Sequence, residues 1–332
     1  MIDFNQNHYK RHIESKGWQQ HIAEDLCKDI HNMERNFSKV FVPKLYQNAV
    51  RSRGRAKETW FDSLILGVSQ THSQYLLTYS AECYQMALRL HRYAGQEVKV
   101  SCIGRELTLH SGEYKHLSLE FYVTGLCLNT LLGFKEGEKE ILDFAFSDFK
   151  SAMTSPVPDV SEAFFDLFKA YFANEQDKSV RDTLMNNLYP YVQVGAIKSK
   201  SEEFVEHYYQ LLFMPLYSIV AYSWGYDKTD LDTTVKAAMK ANYEYFAYFA
   251  PEPGQTRGDG SLSLFGSDAY IHHHIMAFLA VHYRNTGEMV SFQSDYIPEW
   301  VIKGEGPTRD EVLANPPVFD LEHLLGSDER LV

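Results

Sequence analysis

Apolar residues recur every three to four positions along most of this chain, and this spacing constrains its fold more than any other feature. Trp60, Leu64 and Val68 follow a period near 3.6, which places them on one face of a helix. Similar stripes cover residues 76–88, 115–133, 160–173, 203–224, 231–249 and 268–284. Glycines and prolines stand between the stripes, where helices end. The pattern predicts an all-α chain with no fixed repeat length, and therefore an irregular antiparallel helical array.

One segment alternates with a period of two instead. Residues 97–102 and 105–110 switch between polar and apolar on both sides of Ile103-Gly104, which is typical of a β-hairpin. We therefore expect one inserted hairpin at about residues 97–110. Its apolar face is expected to pin it to the helices and to consist of Val98, Val100, Cys102, Leu107 and Leu109.

The composition favours a self-sufficient cytoplasmic protein. The chain has 332 residues, of which 45% are hydrophobic, enough for a full core without disulfide or metal support. Its cysteines (Cys27, Cys83, Cys102 and Cys127) show no paired metal-ligand or disulfide spacing. Residues 1–18 lack the apolar region of a signal peptide, and no apolar run is long enough to span a membrane.

Charge is distributed unevenly. Residues 1–110 hold 15 basic and 11 acidic residues, whereas residues 111–332 hold 17 basic and 33 acidic ones. An acidic body repels nucleic acid and attracts a basic partner. The same acidity also keeps a cytosolic protein soluble, so both interpretations stay open.

A histidine triplet is the obvious candidate metal site. His272, His273 and His274 lie near Asp268 and His282, but zinc on a helix needs ligands three or four residues apart on one face. Adjacent helical residues point about 100° apart, so the three side chains cannot converge. We interpret them as surface and interface histidines, and expect no metal.

Other segments that resemble chemical motifs also have ordinary explanations. The glycine-rich turn 254–261 lacks the preceding strand and the Gly-Lys-Ser/Thr ending of a phosphate loop. The Asp227, Asp230 and Asp232 group lacks the glycine and glutamate of a calcium loop, so Asp230 or Thr229 is expected to cap a helix. The basic cluster (Arg51, Arg53, Arg55 and Lys57) is interpreted as a loop and helix start. We expect no catalytic residue, no cofactor and no nucleic-acid or membrane partner.

Two blocks resemble the immunity protein 49 family of bacterial polymorphic-toxin systems. The first comprises Gly258-Asp-Gly-Ser-Leu-Ser-Leu264, the helix through Tyr283, Gly287, and Val290-Ser-Phe-Gln-Ser-Asp-Tyr-Ile-Pro-Glu-Trp-Val301. The second comprises residues 94–100, residues 103–109 and the apolar helix 117–132. The resemblance spans about residues 60 to 303. The chain departs from the family at the triplet His272–His274 and in its bulkier helix 268–284.

The resemblance implies an antitoxin that binds and neutralises a cognate toxin effector by stoichiometric protein–protein inhibition. A cytoplasmic antidote implies a toxin that acts in the cytoplasm, and many such toxins are basic nucleases. Two alternatives remain. The first is a helical-array scaffold that regulates another partner, and the second is a metalloenzyme using His272, His274 and Asp268. The sequence leaves open whether the protein is a monomer or a homodimer.

Acidic residues near the family block suggest where a basic toxin binds. Residues 299–332 contain eight acidic and three basic residues, beside Trp300. We expect the contact surface to include Glu252, Asp259, Asp268, Asp295, Glu299, Trp300, Glu305, Asp310 and Glu311. The predicted organisation is a helical extension (1–55), the immunity-family helical domain with the hairpin (56–303) and an acidic C-terminal tail (304–332) packed on the same body.

Overall fold

A computed structural model of the chain describes residues 8–9, 16–38, 45–111, 118–148, 158–192, 195–197, 203–249 and 266–321. The α-helices there are α1 (Lys16–Ser38), α2 (Leu45–Ile65), α3 (Gln70–Arg92), α4 (Leu119–Leu132), α5 (Lys135–Leu142), α6 (Pro158–Phe172), α7 (Lys178–Leu188), α8 (Glu203–Tyr208), α9 (Met214–Ser223), α10 (Leu231–Phe249), α11 (His273–Thr286), α12 (Glu299–Lys303) and α13 (Arg309–Ala314). The strands there are β1 (His8–Tyr9), β2 (Glu97–Cys102), β3 (Arg105–His110) and β4 (Gln293–Ser294). The prediction of a mostly helical chain with one inserted hairpin is confirmed.

Two helices, α4 and α11, form the centre of the fold. They pack against each other, and α3, α6, α9 and α12 surround them. In α4, every described residue except Glu120 is buried, and α11 is buried continuously from His273 to His282. Helix α4 is apolar on nearly all sides, and such a helix belongs in the interior because no face of it favours water. These two helices therefore position the elements around them.

Local signals explain where α4 begins and ends. The Ser118 side chain accepts a hydrogen bond from the backbone N–H of Phe121, which satisfies a donor that the first helical turn leaves open. Gly133 ends the helix with φ of 70°, a left-handed conformation that glycine adopts at little cost. Its N–H bonds the carbonyl groups of Asn129 and Thr130.

The hairpin formed by β2 and β3 packs on α3 as expected. Val98, Val100 and Cys102 are buried and alternate with exposed residues. Val98 lies opposite Leu109 and Val100 opposite Leu107, as the alternating pattern predicts. The two-residue turn has positive φ at both Ile103 (48°) and Gly104 (68°), which describes a type I′ turn. Isoleucine is an unusual residue there, because a β-branched side chain is strained at positive φ.

A short parallel pairing of β1 and β4 was not predicted. His8 lies opposite Gln293, and Tyr9 lies opposite Ser294. A two-residue strand has too little periodicity to be recognised in sequence. The pairing places the start of the chain beside the segment that leads into α12.

Two segments differ from their interpretation in the sequence. The basic cluster Arg51–Lys57 lies inside α2, which begins at Leu45, so its interpretation as a loop and helix start was wrong. The stripe at 268–284 becomes a 3-10 turn at Ser267–Ala269 and then α11 from His273. The N–H of His272 bonds the carbonyl of Tyr296, which draws the backbone away from a continuous helix at this point.

A break also divides the stripe at 203–224. A π-helical turn, Tyr209–Phe213, separates α8 from α9, and the N–H of Met214 bonds the carbonyl of Tyr209 five residues earlier. Pro215 follows directly, and proline cannot donate a backbone bond to a preceding turn. The wider turn therefore lies where proline disturbs the regular helix.

Within the described parts of the chain, none of the helices combines the length and the apolar composition that a membrane span requires.

Substituting Gly137 in α5 tests how tightly this helix packs. A Cβ at this position would lie 2.2 Å from Asn129 Oδ1 and 2.6 Å from the Phe134 ring. We expect Gly137→Ala to lower the free energy of unfolding by about 1–3 kcal/mol, because the neighbours must move. Urea unfolding followed by circular dichroism measures the change.

Gly54 provides the matched control, because it lies within α2 and a Cβ there would meet nothing within 4 Å. Gly54→Ala is expected to stabilise the protein by up to about 1 kcal/mol through helix propensity. Equal effects at the two glycines would contradict the described packing of α5.

Candidate functional site

Half of the acidic residues predicted to bind the partner, four of eight, lie in one short segment. We call residues 299–314 the acidic edge; it contains α12, the loop 304–308 and α13. Its acidic residues are Glu299, Glu305, Asp310 and Glu311, and its basic residues are Lys303 and Arg309. All four acidic residues are exposed, so the segment presents negative charge to solvent.

A buried ion pair fixes the acidic edge to the body. Arg309 donates from Nε and Nη2 to Glu82 Oε1, at 2.8 and 2.6 Å. Glu82 lies in α3 and is only 1% exposed. Its other oxygen accepts the backbone N–H of Ile103 at 2.5 Å, and the Arg309 guanidinium lies 4.4 Å from the centre of the Phe134 ring. One arginine therefore joins α13 to α3, and Glu82 extends the connection to the hairpin turn.

The surroundings of Glu82 shift the pKa of its carboxyl group in opposite directions. Burial raises the pKa of its carboxyl group, whereas the Ile103 N–H and the Arg309 guanidinium act to lower it. The net result is a pKa above the ordinary value. Since burial disfavours the charged form, the ionised carboxylate depends on both partners.

Trp300 holds the loop between α12 and α13 in place. It is partly buried and packs against the core. A Cβ added at Gly306 would lie 2.8 Å from the Trp300 ring and 3.2 Å from Gln74 Oε1, so the loop passes directly over the indole. The indole therefore supports the edge as well as contributing an accessible portion to it.

The acidic side chains of the edge differ in how free they are. Glu311 forms a capping box with Thr308, whose backbone N–H lowers the pKa of the Glu311 carboxyl. Glu299 pairs with Lys303, and its side chain remains 44% exposed. Asp310 is 90% exposed and accepts a bond from Arg309 Nη1 at 3.0 Å, while Glu305 is exposed in the loop. Glu299, Glu305 and Asp310 are thus the exposed carboxylates of the edge that no capping box holds.

The remaining predicted contact residues lie elsewhere. Asp268 forms an ion pair with Lys57 Nζ at 2.6 Å, with side-chain exposures of 34% for Asp268 and 9% for Lys57. Burial alone would lower the pKa of Lys57, but the Asp268 carboxylate raises it above the ordinary value. Asp295 is partly buried between β4 and α12. Glu252 and Asp259 lie outside the described residues.

The histidine triplet lies in the core, so its interpretation as surface and interface histidines was wrong. The exposed fractions are 1% for His272, 5% for His273 and 7% for His274, and His282 is 3% exposed. Thr124 Oγ1 of α4 lies 3.4 Å from His273 Nε2 and 3.1 Å from His274 Nε2. Burial lowers the pKa of both imidazoles, to about 3 for His274. Neutral histidines therefore pack where α11 meets α4.

The positions of these side chains also bear on metal binding. In the described part of the chain, no three His, Cys, Asp or Glu residues come together as a metal-ligand group. Asp268 faces Lys57, whereas His274 faces Thr124, so the predicted alternative set does not converge.

A polar network at the far end of α11 escaped sequence reasoning. His282 Nδ1 lies 3.0 Å from Ser223 Oγ, and His282 Nε2 lies 3.0 Å from Glu288 Oε2. This order resembles a nucleophile, a base and an orienting acid. However, Ser223 Oγ also donates to the carbonyl of Ile219 at 2.8 Å, the common bond of a serine within a helix. The network joins α9 to α11, beside a cavity of 270 Å³.

A larger groove of 510 Å³ lies between α3, the hairpin, α5 and α13. Arg89 bridges it by donating to Glu140 at 2.5 Å and to the carbonyl of Lys99 at 2.7 Å. Arg309 lines the same groove, so the groove borders the acidic edge. Its charged residues carry both signs, which gives it no clear preference for a ligand of one charge.

Comparison with known proteins identifies one family. The family model described as Immunity protein 49 matches residues 66–301, more than two thirds of the chain. No curated protein and no solved structure matches the chain. The matched region contains Glu82, the hairpin and both central helices, and it ends within α12.

Removing Arg309 tests whether the buried pair anchors the acidic edge. We expect Arg309→Gln to lower the free energy of unfolding by roughly 3 kcal/mol at pH 7, because Glu82 is left buried without its cation. Asp310→Asn, at the neighbouring exposed position, should change it by less than about 0.5 kcal/mol. In a double-mutant cycle with Glu82→Gln, the two effects should not add. Additive effects would show that the pair contributes no coupling energy.

The buried histidines predict a loss of stability on acidification. In the unfolded chain a histidine has a pKa of about 6.5. Below that pH, His274 binds a proton in the unfolded chain but stays neutral in the folded protein, because burial lowers its pKa to about 3. The contribution of His274 to the free energy of unfolding is therefore complete well above pH 6.5, and it falls by about 2 kcal/mol by pH 5. The raised pKa values of Glu58 and Asp62 act in the opposite direction.

Comparison with His274→Gln separates these contributions, because both carboxyl groups remain in the variant. Between pH 7.5 and pH 5, the wild-type protein should lose about 2 kcal/mol more than the variant in urea unfolding. Parallel pH profiles would show that His274 is not held neutral by burial.

Proposed function

Because the chain belongs to the immunity protein 49 family, we propose that it neutralises a cognate toxin effector by binding it in a stoichiometric complex. Family membership supports the role of an immunity protein, and the proposed mechanism is protein–protein inhibition without catalysis. By this mechanism the protein covers the active site or substrate cleft of the toxin, and one immunity protein inactivates one toxin.

The acidic edge is the proposed contact surface. The observation that carries this proposal is the exposure of Glu299, Glu305 and Asp310 on a segment held to the body by a buried ion pair. A surface whose backbone is already ordered loses little conformational entropy on binding. Trp300 adds an aromatic group at the edge, and such groups commonly anchor protein interfaces. Asp268, Asp295 and Glu311 remain proposed contacts, as do Glu252 and Asp259.

The sign of the charge suggests the chemistry of the toxin. The chain has a formal net charge of −12, which attracts a basic protein and accelerates their encounter. We accordingly propose a basic toxin of the nuclease type that acts in the cytoplasm. An acidic inhibitor suits such a toxin, because it competes at a surface that otherwise receives phosphate groups.

The alternatives receive less support from the described contacts. A metalloenzyme based on His272, His274 and Asp268 is disfavoured, because Asp268 is engaged by Lys57 and the histidines are buried between helices. A regulatory scaffold would require an exposed groove lined by Tyr and Phe. In α10, the aromatic residues with described side chains are instead buried at Tyr245 and Phe246 and half-buried at Tyr243.

Reversing charge on the acidic edge tests the proposed surface. The triple variant Glu299→Lys, Glu305→Lys and Asp310→Lys should bind the toxin at least roughly tenfold more weakly at low salt, and the difference should shrink as salt rises. The candidate toxin is the product of the adjacent gene. Affinity is measured by calorimetry, and protection is scored by growth on co-expression.

The matched control reverses three exposed carboxylates on other helices, with Glu24→Lys, Glu162→Lys and Glu244→Lys. It makes the same change in net charge, so weaker binding by both triple variants to the same degree would indicate a general field effect and reject the edge as the contact. If the wild-type protein neither binds the adjacent product nor rescues growth, the immunity function with that toxin is rejected.

A further inference from the structure

Within the parts of the chain that the structure describes, the outer edge of β3 pairs with no other strand. Cys102 and Arg105 flank the two-residue turn and form a hydrogen-bonded pair, as a type I′ hairpin requires. Hydrogen-bonded and non-hydrogen-bonded pairs alternate along an antiparallel ladder. The backbone N–H and C=O groups of Glu106, Thr108 and His110 therefore point away from β2.

Two contacts confirm this alternation. The N–H of Ser111 donates to the carbonyl of Gln96 at 2.9 Å, which is the bonded pair that the ladder predicts one residue beyond β3. On the opposite strand, the carbonyl of Lys99 points outward and accepts a bond from Arg89. The outer edge of β2 is thus partly covered, whereas that of β3 has no backbone partner within the described residues.

The sequence of β3 is complementary to itself. An antiparallel copy with its twofold axis at Thr108 pairs Glu106 with His110 of the second copy, and His110 with its Glu106. Thr108 then meets Thr108. Cross-strand pairs of a carboxylate with a histidine and of two β-branched threonines are favourable, whereas like charges directly opposite each other are not. The side chains of these three residues are exposed, so they are available to a second strand.

We propose that the protein forms a twofold-symmetric homodimer in which β3 pairs antiparallel with β3 of a second copy. The two hairpins form a four-stranded sheet, and each of the three facing pairs exchanges two backbone hydrogen bonds. A twofold axis uses the same patch on both subunits, which is the symmetry that the self-complementary order of β3 permits. This dimer is independent of the proposed toxin contact, because the acidic edge lies on different elements.

Thr108→Pro removes one outward N–H and no bond of the hairpin itself, since proline is tolerated where the N–H faces solvent. The matched control Thr108→Ala keeps that N–H. Analytical ultracentrifugation of the wild-type protein across a range of concentrations should show a monomer–dimer equilibrium. Thr108→Pro should weaken association at least roughly tenfold, and Thr108→Ala should remain close to wild type.

Charge exchange tests the pairing if the proline variant fails to fold. Glu106→Arg should weaken the dimer by placing a guanidinium opposite His110 of the second copy, and adding His110→Glu should restore it. A wild-type protein that is monomeric at every concentration would overturn the proposal. A dimer whose dissociation constant is unchanged by both the proline and the charge variants would overturn it too. A protein that stays monomeric and pairs β3 with a strand of the toxin would also overturn it.

Discussion

The architecture around the proposed binding surface depends on one buried ion pair. Glu82 extends from the middle of α3, where it is 1% exposed, and meets Arg309 of α13, more than two hundred residues later in the chain. The same carboxylate accepts the N–H of Ile103, the strained residue of the hairpin turn. Helix α3, the neighbouring hairpin and the distant helix α13 therefore meet at one charged group. This meeting point fixes the orientation of the acidic edge together with Trp300 and the buried Val301, Ile302 and Val312.

Such a pair contributes little net stability, although breaking it is costly. Removing both charges from water costs several kcal/mol, and attraction within the protein only approximately offsets that cost. An unpaired partner, however, is strongly disfavoured, so arrangements that separate the two groups are excluded. Lys57 with Asp268 and Glu138 with Arg284 follow the same principle. For Glu138, burial alone would raise the pKa of the carboxyl, but Arg284 and Lys135 bring it below the ordinary value.

The local sequence pattern was sufficient to predict the helices and strands, but not the tertiary contacts between them. The stripe around Trp60 and the alternation at Val98 and Val100 predicted a helix and a strand, because each pattern reflects the geometry of its own segment. Burial of His272–His274 was missed, because residues on every side of α11 are enclosed by helices distant in sequence. Glu82 carried only a weak signal, a lone carboxylate among buried neighbours, and its partner Arg309 could not be recognised from spacing. The acidic composition of residues 299–332 indicated the acidic edge. Only the structure shows which of its carboxylates are held by a capping box or an ion pair and which are more accessible.

Hydrogen exchange with and without the toxin tests the central claim most directly. If the acidic edge is the binding surface, peptides covering residues 299–314 should exchange more slowly in the complex, because their backbone amides are covered. Exposed peptides of α7, on another element, provide an internal comparison and should change little. Protection confined to other regions, with unchanged exchange across residues 299–314, would contradict the account.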